Sequence, residues 1–209
     1  MKNLLFIFLL AGFKLLAQNV AADSIYLSAP NTKAPKVKTA TVKTKGEELA
    51  SHGFSAIAAH VSLIKDIPKG ELQTLTFYFN SGLINLNKKE FNVEYKDTTL
   101  ALVIYEVGHD GKPGKAITDG ALYFTVTKEH RGALELDLST LNLPTQLQLF
   151  IGMAATDDHT TEQVVLKVRE NKNARSFSKS KGSDVWTEYT DGSDFKFDIK
   201  MKVEVKVGE

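Results

Sequence analysis

The sequence TLALVIYEVGHDGKPGKAITDGALYFTV, Thr99–Val126, contains two apolar runs on either side of a polar segment rich in Gly, Asp and Lys. Both runs are rich in β-branched and aromatic residues, which is typical of β-strands bounded by turns. We therefore predict a strand, a loop and a second strand that together form one edge of a β-sandwich. The nearly continuous apolar run Leu100–Val107 predicts a central strand covered on both faces. The loop between the strands is a candidate ligand-contacting surface, through His109 and Asp110.

Period-two alternation of apolar and polar residues continues along much of the chain and predicts half-buried strands. The apolar positions of these strands are Leu75, Phe77 and Phe79; Leu134, Leu136 and Leu138; Leu147, Leu149, Ile151 and Met153; and Val164, Leu166 and Val168. Alternation is longest from Phe195 to Val207, where it predicts one dry and one solvated face. The solvated face contains Asp198 and lysines that disfavour edge-to-edge pairing with another sheet. Together these strands predict an all-β, antiparallel, jelly-roll-like β-sandwich, with an up-and-down barrel as the main competitor.

The segment Gly46–Leu63 fits two structures. Ala50, Phe54, Ile57 and Val61 have helical spacing, whereas Ile57, Val61 and Leu63 also fit the alternation of a strand. Periodicity alone does not separate helix from strand in such short segments. We favour an entry turn followed by a strand.

The N-terminus predicts export. Leu4–Phe13 is an apolar run with a preceding lysine and small residues after it, which is typical of a signal peptide, and Lys14 argues against an uncleaved anchor. We predict a signal peptide over residues 1–22 with cleavage after Ala17 or Ala22, and no transmembrane segment in the mature chain. A linker with lysines and prolines follows over 23–45, and a single β-sandwich domain over 46–209. The destination is the periplasm, the outer-membrane surface or the medium.

The overall charge argues against nucleic acid as a partner. Losing residues 1–22 removes Lys2 and Lys14 and no acid, so the formal net charge falls from +1 to −1. Nucleic-acid binding proteins usually have a strong basic excess. The predicted linker is locally basic, and a second interpretation is that it contacts lipopolysaccharide or another polyanion. Its lysines are Lys33, Lys36, Lys38, Lys43 and Lys45. The chain has no Cys, which excludes thiolate nucleophiles and Cys-type zinc sites.

Several short motifs between about Gly46 and Met153 resemble a known family. They are Phe77–Phe79, Ile104–Glu106, Gly111–Lys115, Leu134–Ser139 and Asn142–Pro144. In this respect the chain resembles the carboxypeptidase-regulatory-like β-sandwich domains secreted by Gram-negative gut and environmental bacteria. The resemblance implies a jelly-roll-like sandwich in the periplasm or at the cell surface. It implies no reaction, because the motifs are core and turn patterns.

No catalytic motif is present in the sequence. The five histidines form no His-x-x-x-His pair, and there is no Gly-x-Ser-x-Gly elbow or phosphate loop. We expect no cofactor, except for a weak structural calcium site at Asp191 and Asp194, for which a solvated turn is the alternative. The neighbours Asp157 and Asp158 could serve a glycosidase, but adjacent strand residues point to opposite faces.

The aromatic residues Trp186 and Tyr189 are the best candidates for stacking on a sugar ring. Their spacing places them on different faces of a strand, so packing of Trp186 at the sandwich edge is the alternative. The leading hypothesis is an exported, non-enzymatic binding or structural module of the bacterial cell envelope, with an envelope protein or a glycan as partner. The alternatives are a carbohydrate-binding module and a hydrolase with a dispersed acidic site.

Overall fold

The structure is a computed structural model that describes residues 24–30, 38–53, 57–79, 97–118, 120–156, 164–190 and 196–208, with only the backbone described for 49–53. Every helix or strand element within these ranges is a β-strand, which confirms the predicted all-β class. The strands are β1 Ile25–Tyr26, β2 Thr39–Lys43, β3 Glu47–Gly53, β4 Ile57–Lys65, β5 Glu71–Phe79, β6 Thr98–Val107, β7 Pro113–Ala116, β8 Leu122–Val126, β9 Gly132–Asp137, β10 Gln148–Ala155, β11 Val165–Glu170, β12 Ser176–Ser180, β13 Thr187–Glu188, β14 Phe197–Ile199 and β15 Met201–Lys206. In the described part of the chain no helix is long and apolar enough to cross a membrane.

The described strands form two sheets. Sheet A has the order β1-β8-β6-β10-β4-β12-β13, with β7 paired to β6. Sheet B has the order β14-β11-β5-β15-β2, with β3 paired to β11 and β9 paired to β5. Pairing is antiparallel except between β1 and β8, which run parallel. In sheet A, β4 pairs with β10 and β12, and β6 pairs with β10, although these strands are far apart in sequence. The fold therefore depends on long-range pairing.

The core lies between the two sheets. Leu100, Leu102 and Ile104 of β6 face Leu75, Phe77 and other side chains of sheet B in one buried cluster. The rings of Phe77 and Phe124, one from each sheet, stack with centroids 6.0 Å apart. Because the inward residues of both sheets alternate with outward ones, the architecture is a β-sandwich, as predicted.

The stretch Thr99–Val126 has a different place from the one predicted. Its first strand β6 lies in the interior of sheet A, between β8 and β10, so the stretch is not an edge. The central position of β6 is confirmed, but its second face is only half-buried. Within the loop, β7 folds back and pairs with β6. The turn between these two strands accounts for the Gly-rich sequence.

The interval 23–45 contains strands as well as a connection. β1 pairs with β8, and β2 pairs with β15 over five residues, from Thr39 opposite Lys206 to Lys43 opposite Lys202. The prediction of a linker is therefore wrong for 25–26 and 39–43, while residues 31–37 lie outside the described part. The sequence of β2 shows no apolar alternation because only Val42 of this strand packs against the core, and its other residues include threonines and a lysine.

The segment Gly46–Leu63 is extended. β3 begins at Glu47, where an entry turn was predicted, and pairs with β11. β4 follows as the predicted strand and lies between β10 and β12. Residues 59–64 of β4 are buried on both faces, which explains why their sequence has two periodicities.

The C-terminal alternation corresponds to two strands. β14 pairs with β11, and β15 pairs with β5 and β2, so the chain changes neighbours at Lys200. The solvated face was predicted correctly for Lys202, Glu204 and Lys206, but Asp198 is buried, with 5% of its surface exposed. Since β15 has a neighbour on each side, its lysines do not protect an edge.

These lysines belong to a set of ion pairs on the outer face of sheet B. Lys202 contacts Glu135 at 3.1 Å and Glu204 at 3.2 Å, and Glu204 accepts a hydrogen bond from Thr74. Glu48 contacts Lys200 and, at 2.8 Å, Lys167. Hydrogen bonds from Lys167 and Lys200 lower the pKa of Glu48 to about 2. The charges on this face are therefore mutually compensated.

Replacing Glu48 with glutamine is expected to remove a pH-dependent part of the stability. A lowered pKa stabilises the folded state above the ordinary value of 4.5, and this stabilisation is lost as the pH falls towards 2. At neutral pH, the free energy of unfolding of E48Q is expected to be about 0.5–1 kcal/mol lower than that of the wild type, which is the range for partly exposed ion pairs. Urea unfolding at several pH values measures this. A difference between the two proteins that stays constant from pH 7 down to pH 3 would contradict it.

Candidate functional site

A cleft of about 800 Å³ opens where the two sheets meet. Its walls are β2 and the residues after it up to Gly46, the end of β4 up to Asp66, the turn 171–175, and Lys196 with Asp198. Both sheets therefore contribute to it, and its volume lies within the range of sites that hold small organic ligands.

The charged side chains that line the cleft are mostly basic. Its cationic residues are Lys43, Lys45, Lys65, Lys172, Arg175 and Lys196, and its acidic residues are Asp66 and Asp198. Lys196 pairs with Glu188 at 3.2 Å. Within the described residues, no carboxylate lies in ion-pair distance of the ammonium groups of Lys43, Lys45, Lys65 or Lys172, all of which are exposed. The cleft thus differs from the compensated outer face of sheet B and has a local positive excess.

Thr44 fixes the wall formed by β2. Its buried hydroxyl Oγ1 accepts a hydrogen bond from the Met201 N–H at 3.0 Å, and its own N–H donates to the Met201 carbonyl at 3.1 Å. Lys43 and Lys45 flank this residue on the sequence. Their backbone is therefore held on sheet B while their side chains reach the cleft and solvent.

The opposite wall is the turn before β12. The Asn171 N–H donates to the Lys196 carbonyl at 3.0 Å, and the Asn171 side chain accepts from the Asn173 N–H at 3.0 Å. Arg175 then donates from its guanidinium to the Gly111 carbonyl at 2.9 Å, which ties this wall to the loop between β6 and β7. Gly111 has φ +75° and its Cβ position would lie 3.1 Å from the guanidinium, so a side chain here would strain the backbone and crowd this contact.

A buried polar chain lies beneath the cleft. The Ile199 N–H donates to Ser62 Oγ at 2.7 Å, Ser62 and Ser176 share a hydrogen bond of 2.6 Å, and Ser176 Oγ donates to Asp198 Oδ1 at 3.2 Å. Since Ser176 donates to the carboxylate, Ser62 is the donor to Ser176. The Arg175 N–H also donates to Asp198 Oδ1, at 3.2 Å. The two hydroxyls are buried and used inside the protein, so neither is presented to a substrate as a nucleophile.

Asp198 is the most perturbed acid of the cleft. Burial raises its pKa from 3.8 to about 6, and the hydrogen bonds from Ser176 and Arg175, with the charge of Lys65, only partly oppose this. Its carboxylate therefore changes charge close to neutral pH. A raised pKa is frequent in functional sites but also in structural networks. For Asp198 the hydrogen bonds with Arg175 and Ser176 indicate a structural network.

His109 and Asp110, predicted as ligand contacts, lie in the exposed turn between β6 and β7. Asp110 Oδ1 accepts the N–H of Lys112 at 3.0 Å, which is an Asx turn. The Gly108 N–H closes the turn by donating to the Lys112 carbonyl at 2.8 Å. The turn is connected to the cleft through Gly111 and Arg175, but neither His109 nor Asp110 lines the cleft.

Trp186 and Tyr189 are separate from the cleft and from each other. Trp186 packs on a small cluster on the outer face of sheet A, formed by Val61, Leu63, Phe150 and Phe177. Its ring has the Lys179 ammonium 4.9 Å from its centroid and the Tyr105 ring edge-on at 5.4 Å. Tyr189 instead contacts the ring of buried His60 at 4.6 Å. The two aromatics make no common stacking platform.

Several predicted residues lie outside the described part, namely the calcium candidates Asp191 and Asp194 and the acidic pair Asp157 and Asp158. The hypotheses based on them stay predictions. The sequence interpretation missed Asp198 and most of the cleft. The sequence contains one indication of the cleft, the lysines of 23–45, whose second interpretation is contact with a polyanion. Two of them, Lys43 and Lys45, line the cleft.

Comparisons with known proteins give no relative. No protein-family model matches the chain, and no curated protein or solved structure matches it. The resemblance to carboxypeptidase-regulatory-like domains is therefore still a prediction, whereas the β-sandwich is established by the structure itself.

Proposed function

We propose that the protein is an exported, non-enzymatic binding module of the bacterial cell envelope, and that the cleft between the sheets is its ligand site. The observation that carries the proposal is the set of exposed lysines, Lys43, Lys45, Lys65 and Lys172, that have no ion-pair partner among the described residues. They surround a cleft whose backbone is fixed from both sheets. Because the backbone of the cleft is already fixed, a ligand that binds there does not have to order it, and this lowers the entropic cost of binding.

The buried groups beneath the cleft support binding over catalysis. Ser62 and Ser176 are hydrogen-bonded to each other and inaccessible, and Asp198 receives its hydrogen bonds from within the protein. We therefore assign Ser62 and Ser176 to the support of the walls, and Asp198, which lines the cleft, to the same hydrogen-bonded network. The N-terminal apolar run supports export. An exported protein meets the components of the cell envelope, and we therefore propose one of them as the partner.

Obstructing the cleft is expected to weaken retention of the protein on the envelope. Asn173 is exposed at the tip of the turn 171–175, and replacing it with tryptophan places a bulky side chain at the opening of the cleft without changing its charge. The full chain, purified from the exported fraction of its host, is incubated with isolated envelopes and sedimented. N173W is expected to lose about tenfold in affinity, which corresponds to about 1.4 kcal/mol of binding free energy.

The matched control is Thr140→Trp, which places the same side chain at an exposed turn that does not line the cleft. T140W is expected to sediment with envelopes like the wild type, and both variants should keep the wild-type melting temperature. If N173W and the wild type bind envelopes equally, the cleft is not the ligand site. If the wild type does not sediment with envelopes at all, the binding function itself is wrong.

A further inference from the structure

We propose that the ligand of the cleft is an acidic polysaccharide whose carboxylate or phosphate groups are bound by the lysines of the cleft walls. This inference rests on the proposed function and adds the chemical class of the ligand. Three observations carry it: the sign of the charge, the distribution of the charge, and the type of group that provides it.

The sign of the charge is local and specific to this place. Six cationic residues and two acidic ones line the cleft, in a protein whose whole sequence is nearly balanced at +1. On the outer face of sheet B, by contrast, the lysines are matched by Glu48, Glu135 and Glu204. Because neighbouring faces of one protein differ in this way, the excess at the cleft is not a general property of its surface.

The distribution of the charge favours a chain over a single small anion. The exposed lysines come from separate segments on both walls, with Lys43 and Lys45 on one, Lys172 on the other and Lys65 at the end of β4. A water molecule occupies about 30 Å³ in the liquid, so a cleft of about 800 Å³ has room for a ligand larger than one small anion. A ligand with several separated negative groups contacts these lysines together, and its binding energy is the sum over weak contacts.

The type of group favours a hydrated, hydroxyl-rich polymer. Lysine ammonium groups are strongly hydrated point charges, whereas the planar guanidinium of arginine binds phosphate through two hydrogen bonds at once. Lysines therefore suit a ligand that stays hydrated. Thr41, Asn171 and Asn173 stand among the lysines and provide polar groups that suit sugar hydroxyls. Aromatic stacking platforms, on which single-stranded nucleic acids depend, do not line this cleft among the described residues.

The test compares two triple variants with equal loss of charge. One carries Lys43→Gln, Lys45→Gln and Lys172→Gln on the cleft walls; the control carries Lys69→Gln, Lys115→Gln and Lys128→Gln at exposed positions outside the cleft. Binding of the full chain is measured by biolayer interferometry. The probes are polygalacturonate, which provides carboxylates, yeast phosphomannan, which provides phosphates, neutral dextran, and single-stranded DNA.

We expect the cleft triple variant to lose about tenfold or more in affinity for the acidic polysaccharide at low salt, and the control to lose less than about threefold. Wild-type binding should weaken strongly at high salt, because exposed charges are screened, and dextran should not bind. Preference for polygalacturonate or for phosphomannan identifies which acidic group the site prefers. Both variants replace exposed lysines, so their melting temperatures should equal that of the wild type.

Three results would overturn the inference: equal binding by both triple variants, equal binding of dextran and the acidic polymers, or tighter cleft-dependent binding of single-stranded DNA. They leave the proposed function separately testable, because N173W measures occlusion without a change of charge. If N173W loses its envelope binding while the acidic polymers neither bind nor compete, the cleft is the site and the ligand class is wrong.

Discussion

Replacing Gly152 with alanine is expected to destabilise the protein by at least about 3 kcal/mol, which is the upper end of the usual cost of overpacking. Gly152 lies in the middle of β10, opposite Val61 of β4 and Val103 of β6. A Cβ at this position would meet the carbonyl oxygen of His60 at 1.9 Å and the Cα of Val61 at 2.7 Å. Both are backbone atoms, so no rotamer change relieves the overlap.

The expected result is that G152A is produced largely in insoluble form or unfolds at much lower urea concentration than the wild type. Gly208→Ala is the matched control, because nothing lies within 4 Å of its Cβ position. G208A should unfold within about 0.5 kcal/mol of the wild type, as is usual for an unconstrained surface change. If G152A unfolds like G208A, strands β4 and β10 are not as close as the structure places them.

The second large effect is expected from Asp198→Asn, which should stabilise the protein above pH 7. The pKa of Asp198 is about 6 in the folded protein against an ordinary value of 3.8, so the folded state holds its proton more tightly than the unfolded state. Between about pH 4 and pH 6 this group therefore makes the wild type less stable as the pH rises. Above that range the ionised, buried carboxylate costs between about 1 and 3 kcal/mol.

An asparagine at position 198 keeps an oxygen for the Arg175 N–H and the Ser176 hydroxyl but never becomes charged. D198N is therefore expected to gain about 1–3 kcal/mol over the wild type at pH 8 and to lose that advantage near pH 4. Asp110→Asn, at an exposed Asx turn, is the control and should change the stability little at either pH. A difference between D198N and the wild type that is the same at pH 4 and pH 8 would show that the carboxylate is not buried as described.

Local alternation was enough to predict the sandwich strands and their inward faces. Met201, Val203 and Val205 are buried while Lys202 and Glu204 face outward, as the period of two requires. The same rule failed at Asp198, three residues earlier. It failed because the chain changes neighbours at Lys200, and the partners that bury Asp198 come from Arg175 and Ser176, more than twenty residues away.

The candidate site could be predicted only in fragments. The lysines around Lys43 were visible as a basic segment, but without a partner they fitted a solvated linker as well as a wall of a cleft. The structure supplies what was missing: β2 pairs with β15, and residues 63–66 and 171–175 lie across from it. Conversely, Trp186 and His109 were candidate ligand contacts because of their residue types. In the structure Trp186 packs on a hydrophobic cluster, and His109 lies in a hydrogen-bonded turn.

The most direct measurement of where the ligand binds is an NMR titration of the isotopically labelled full chain with the water-soluble polysaccharide fraction of the cell envelope. The predicted result is that the perturbed backbone amides cluster at 41–46, 63–66 and 171–175, the walls of the cleft. At equal ligand concentration the perturbations should be much smaller in the N173W variant, and smaller in the wild type at high salt. Amide perturbations confined to Trp186 and Val185 on the outer face of sheet A, with the cleft walls unchanged, would contradict the assignment of the cleft as the ligand site.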